Sequence, residues 1–176
     1  MKELSLNILD ITENSVKAGA TLTEIQIAET ADRLTISIKD NGCGMSEETL
    51  RSVTDPFYTT RTTRKVGLGI PLFKLAAEQT GGHLEITSDT GENHGTEVKA
   101  YFSKSHLDFT PLGDVISTML TLIQGHPDTD FLFTHYIDDK EIRLDTRELR
   151  TVLDGVPLST FEVLEWIRGY LEEQYS

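Results

Sequence analysis

Asp10 and Asn14 stand four residues apart in the stretch "DITENSVK", a spacing that puts both side chains on one face of a helix. An Asn amide oxygen is a hard ligand of the kind Mg²⁺ accepts, with water and phosphate completing the ion's shell. A carboxylate one turn earlier can orient or deprotonate an attacking group. Alone, the pair reads equally well as the polar edge of a helix.

Three further pieces follow in order. Asp40-Asn41-Gly42-Cys43-Gly44-Met45 begins at a strand end, where an Asp can accept a hydrogen bond from an exocyclic amine such as that of adenine. Its glycines let the backbone approach a flat ring closely. From Pro56 to Ala77 there is no acidic residue, while Arg61, Arg64, Lys65 and Lys74 are all there. Gly67-Leu68-Gly69 then opens an apolar, helix-like run. Unpaired N–H groups and the helix dipole make such a start a phosphate site. Last comes Gly95-Thr96, whose hydroxyl can bond an adenine edge or its fixed water.

Each piece alone has a plain structural reading; their order and spacing do not. The helix with Asn14, the D-x-G-x-G of Asp40, Gly42 and Gly44, "DPFYTT", G-x-G and G-T together resemble the ATP-binding domain shared by gyrase, heat-shock protein 90, histidine kinases and MutL. The resemblance covers about residues 1–104, and "ENSVK" and "DPFYTT" look closest to the histidine-kinase branch. It implies an α+β fold, a two-layer sandwich with a mixed sheet and helices on one face, and ATP with Mg²⁺ as ligands. By that resemblance Asn14 binds Mg²⁺, Lys17 reaches the phosphates or ribose, and Asp40 reads the adenine amino group. Phe57 would anchor a lid over about residues 56–66, with Gly67 and Gly69 cradling phosphate. Gly42, Gly44, Met45, Thr60, Arg61, Arg64, Lys65, Leu68 and Thr96 complete the implied nucleotide set, and Asp10 is the candidate catalytic base. The glycine-rich stretch and "LDTREL" also resemble compact ATP-binding proteins of anaerobic bacteria.

Some features depart from the kinase pattern. A histidine kinase carries a helix hairpin with its phospho-acceptor His before this domain. Here the motifs begin at the first residues, so a stand-alone module is expected. Asp10 is one methylene shorter than the Glu of the ATPase branches, and Ile70 replaces the usual Leu. "SHLDFTPL" faintly resembles an acceptor box around His106, but the preferred reading makes Thr110 a helix cap with Pro111 at the first helical position.

Positioning these groups requires particular elements. Leu4, Ile8, Ile11 and Ser15 fall on one helical stripe, ended by Gly19. Residues 23–30 and 33–40 alternate as a β-hairpin. A short helix follows Ser46, a third runs through Ile70–Gln79, and strands lie at "HLEITSD" and "TEVKAYF". Residues 105–176 are expected as an α/β appendage packed on the first unit: a helix over 111–125, a hairpin turning at Asp138-Asp139, and two helices. In the last helix, Phe161, Leu164, Trp166, Ile167, Tyr170 and Leu171 have helical spacing. That reads first as core packing against the hairpin and second as a homodimer face.

The chain has 176 residues, a formal charge of −13 and one cysteine, Cys43. Residues 105–176 hold 5 basic and 14 acidic residues, a net of −9. This balance argues against a nucleic-acid partner. No apolar run reaches bilayer length and the first residues do not read as a secretory signal, so no membrane partner is expected. A lone cysteine fits a reducing, cytoplasmic setting, and Cys43 reads as a small filler in its loop. The remaining histidines show no metal-ligand spacing. The function expected is a kinase-type module that transfers phosphate from ATP to a protein partner. A non-catalytic ATP sensor and a slow ATPase with ATP-gated dimerisation are the alternatives.

Overall fold

A computed structural model describes residues 3–54 and 69–176. Helix α1 (Leu4–Lys17) buries Leu4, Ile8, Ile11 and Ser15, the stripe expected from their spacing. Strands β1 (Leu22–Glu29) and β2 (Arg33–Asp40) pair antiparallel, with Ile25, Ile27, Leu34, Ile36 and Ile38 turned inward. Helix α2 (Glu47–Thr54) begins after Ser46, whose hydroxyl accepts from the Thr49 N–H at 3.2 Å. Helix α3 (Gly69–Glu78) precedes β3 (His83–Asp89) and β4 (Gly95–Ser103).

Beyond residue 104 come α4 (Val115–Gly125), β5 (Asp130–Ile137), β6 (Lys140–Asp145), α5 (Thr146–Leu153) and α6 (Phe161–Tyr175). The later hairpin extends the first sheet, because β5 runs parallel to β1 along its whole length. One sheet results, in the order β3-β4-β2-β1-β5-β6, antiparallel except at the β1–β5 seam. Alternation along the strands gives it an apolar face covered by α1, α3, α4 and α6 and a polar face carrying Glu24, Gln26, Ser37 and Lys99. The fold is therefore α+β with a mixed sheet and its helices on one side.

Two expectations are corrected here. The helix predicted over 111–125 starts only at Val115, with Asp114 as its cap accepting from the Ser117 N–H at 3.0 Å. Gly113 adopts φ +84°, and a Cβ there would lie 2.3 Å from the Glu3 carboxylate. The helix cannot extend back through it. Thr110 and Pro111 consequently lie outside the helix, and the carbonyls of Pro111 and Leu112 accept from the N–H groups of Leu4 and Ser5 at 2.8 Å, satisfying the start of α1.

The second correction concerns α6. Val163, Ile167 and Leu171 point inward, while Phe161, Trp166 and Tyr170 are exposed. At about 100° per residue, Trp166 falls about 60° outside the stripe of 163, 167 and 171, while Tyr170, 38% exposed, lies at its edge about 20° from Val163. Near its end, α6 sends Gln174 to the outer edge of β6. Its Oε1 accepts from the Arg143 N–H at 3.1 Å and its Nε2 donates to the Arg143 carbonyl at 3.2 Å.

A buried polar cluster fixes the far end of the β1–β5 seam. His135, 2% exposed, meets Glu29 at 2.5 Å through Nε2 and the Tyr175 hydroxyl at 2.6 Å through Nδ1. Lys104 donates to Glu29 and to the Thr30 carbonyl, each at 2.8 Å. Burial pushes the Glu29 carboxyl up, but hydrogen bonds from Lys104 and His135 outweigh it and hold it below its usual value. Burial lowers His135 despite Glu29 beside it, and raises the Tyr175 phenol. The arrangement is that of a neutral imidazole donating from Nε2 to a carboxylate and accepting at Nδ1 from a phenol.

Candidate nucleotide-binding cleft

Helix α1, the ends of β2 and β4, the loop after β2, α2 and the start of α3 enclose a cleft of about 310 Å³. From α1 it receives Asn14 and Lys17, from the end of β2 Asp40, from the following loop Gly44 and Met45, and from β4 Thr96. Ile11, Ile38, Val53, Ile70 and Val98 give it an apolar floor suited to a flat ring.

The loop after β2 is held at several points. Asp40 Oδ1 accepts from the Gly42 N–H at 2.8 Å, which fixes the carboxylate at the strand end. Asn41 turns away, its Oδ1 accepting from the N–H groups of Thr21 and Leu22 at 2.8 and 3.1 Å. The Cys43 N–H donates to the Ala18 carbonyl at 2.9 Å, anchoring the loop on the end of α1. Gly44 sits at φ +77°, where a Cβ would lie 2.0 Å from the Asp89 carbonyl oxygen, so the loop can cross β3 there only without a side chain.

Asp10 is exposed beside the cleft and is not one of its lining residues. Burial, then the charge of Glu13, raises its carboxyl above the usual value. At the first residue of α3, a Cβ built on Gly69 would lie 3.4 Å from the Asp10 Cβ and 3.9 Å from Asn14 Nδ2. The start of α3 thus abuts the α1 face that carries both residues. Gly42 is buried behind the loop. Phe57, Thr60, Arg61, Arg64, Lys65, Gly67 and Leu68 lie outside the described residues.

Several contributors were missed in the sequence. Ser88 accepts from the Met45 N–H at 2.7 Å and lies 2.7 Å from the Thr96 hydroxyl, so it ties loop to strand. His94 meets the Gly42 carbonyl at 2.6 Å through Nδ1. Neither belongs to a motif. The floor residue Ile11 was legible, since it lies one turn from Asn14. Cys43, expected as a filler, is exposed and lines the cleft.

His106 is at the other end of the sheet. Thr96 borders the cleft while Ser103, seven residues on along β4, adjoins the His106 turn. At strand rise this separates them by about 23 Å, so the cleft and His106 of one chain do not meet.

Residues 2–106 match the family described as "Histidine kinase-, DNA gyrase B-, and HSP90-like ATPase". The chain belongs to this family of ATP-binding domains, and it is a histidine-kinase-like ATPase module. It is 34% identical over 92 residues to sporulation kinase C of Bacillus subtilis, covering 52% of this chain and 21% of that protein. To the sensor histidine kinase YxdK of the same organism it is 30% identical over 108 residues, covering 57% of this chain and 33% of the relative. The chain thus spans a third or less of these relatives. In fold it resembles the Aquifex aeolicus MutL ATPase domain complexed with ADP, with a TM-score of 0.52, 18% identity, and coverage of 88% of this chain and 70% of that one. Among the described residues, no helix is long and apolar enough to cross a membrane.

Proposed function

We propose that the cleft binds Mg-ATP and that the protein is a signalling module passing the γ-phosphoryl group to a protein partner. The observation that carries the reading is the convergence of Asn14, Asp40 and the start of α3 on one apolar-floored cleft. The adenine ring would lie on Ile38 and Val98, its amino group donating to Asp40, whose Oδ1 is already oriented by Gly42. Lys17 would reach the phosphates or ribose, and the α3 N–H groups from Gly69 onward would face the phosphate end. In this reading residues 1–104 are the nucleotide-binding unit and residues 105–176 pack on it, and the module works in the cytoplasm.

Asn14 offers one hard oxygen, half-buried at the cleft, which fits Mg²⁺ bound mainly through phosphate and water. When bound, that ion supplies neutralisation of the phosphate charge. The acceptor atom of the partner forms its bond to the γ-phosphorus as the bridging P–O bond breaks and ADP leaves. Asp10, with its raised proton affinity, takes the proton if the acceptor is a hydroxyl.

One observation favours a second reading. Asp10 does not line the cleft, which suits an ATP sensor that binds without turnover, or an ATPase slow enough for ATP to gate dimerisation. Calorimetry tests the shared step: Asn14→Ala abolishes Mg²⁺-dependent ATP binding, and unchanged affinity would overturn the assignment. ATP consumption with and without an added partner then separates kinase, sensor and ATPase.

A further inference from the structure

Far from the cleft, α5 and α6 diverge to leave a groove of about 440 Å³. Leu149, Val152, Leu153, Glu162, Val163 and Trp166 line it, so all but one of its walls are apolar. Val152 is 80% exposed and Trp166 54%. The Trp166 ring lies stacked on Tyr170 with centroids 5.0 Å apart and planes 12° from parallel. That stacking sets an aromatic wall at the groove. Contiguous apolar surface of this kind marks a docking site when the core has no use for it. Here the inward stripe of Val163, Ile167 and Leu171 already seals α6 to the fold.

Charge decides what fits. The cations of these two helices are already engaged. Arg147 is held by Asp145 at 3.0 Å, Arg150 by Asp130 at 2.7 Å, and Arg168 lies 3.9 Å from Glu165. Glu162 projects into the groove and Asp154 stands exposed at the end of α5. We infer that this groove docks an amphipathic helical segment of a protein partner, its apolar ridge entering between α5 and α6 and its flanking Lys or Arg side chains meeting the acidic rim. An amphipathic helix laid in a groove buries its ridge at i, i+3, i+4 and i+7. A second copy of this chain brings a net −13 to a surface already acidic, and anionic lipid is repelled in the same way. The site is independent of the nucleotide reading.

Trp166 is the chain's one tryptophan, so its fluorescence reports on the groove directly. The probes are a helical peptide of about 18 residues with Leu at ridge positions and Lys on the flanks, and its twin with Glu in place of Lys. The Lys peptide is expected to shift Trp166 emission saturably to the blue. Binding falls about tenfold or more for the Glu twin and for Glu162→Lys, and disappears in Val152→Asp. ATP affinity stays unchanged in both variants, and circular dichroism shows both folded. Equal binding of the two peptides, no shift with either, or self-association of the chain that Val152→Asp abolishes would each overturn the proposal.

Discussion

The imidazole Nε2 of His126 meets the carboxylate of Glu13 at 2.8 Å, one residue before Asn14. His126 ends α4, so this contact bolts the later part of the chain to the helix that carries the cleft's amide. Both side chains are partly exposed, which limits the pair to about 1 kcal/mol. His126→Ala should lower unfolding stability by about that amount in urea titrations. ATP affinity should fall by no more than about threefold, because Asn14 stays on a helix still packed by Ile8 and Ile11.

Asp40 holds the Gly42 N–H and, in the proposed reading, would also meet the adenine; one substitution separates the two. Asp40→Asn keeps an oxygen for the Gly42 N–H and offers an amide where the adenine amino group would donate. Thermal stability should change little, while ATP affinity measured by calorimetry drops about tenfold or more, a loss of roughly 1.4 kcal/mol. A GTP control distinguishes loss of base reading from a general loss of phosphate binding.

Gly44→Ala should act on the fold first. The substituted residue must hold φ +77° with its Cβ pressed on the Asp89 carbonyl, so the loop shifts. A stability loss of about 1–3 kcal/mol is expected, together with weakened ATP binding as Met45 leaves Ser88.

Stability should also depend on pH through the Glu29–His135–Tyr175 cluster. His135 is held below its ordinary value of 6.5 by burial, so below that pH the unfolded chain takes up a proton the folded chain resists. Stability is full above about 6.5 and declines as pH falls toward the folded value. Glu29, also depressed, from 4.5, adds a second loss below that value. Urea midpoints measured from about pH 8 to 5 should fall. In His135→Gln, which cannot titrate, the decline above pH 5 should flatten.

How much of this was legible in the sequence follows from what is local. The stripe of α1, the hairpin of β1 and β2, and Ser46 at the head of α2 rest on spacing and capping, and they stand where expected. Asn14 and Asp40 were singled out because the motif order constrains them jointly, and both line the cleft. The β1–β5 seam was not found, since parallel pairing between residues 22–29 and 130–137 leaves no mark in either strand's own pattern. Thr110-Pro111 misled because a helix-start signature was overridden by Gly113 and by the need of Leu4 and Ser5 for acceptors. Ser88 and His94 act through single hydrogen bonds set by the fold, and isolated polar residues in strands and turns carry no signal of that.

Gln174 has a consequence for how these molecules behave in a crowd. Its amide imitates a peptide unit, and it occupies the outward-facing main-chain positions of Arg143 that a neighbouring chain would otherwise use to zip on. The outermost ribbon on that flank is thereby plugged at one point by the protein's own tail helix. Lateral growth into fibre-like stacks, the hazard of any bare sheet margin, is checked there by a single side chain.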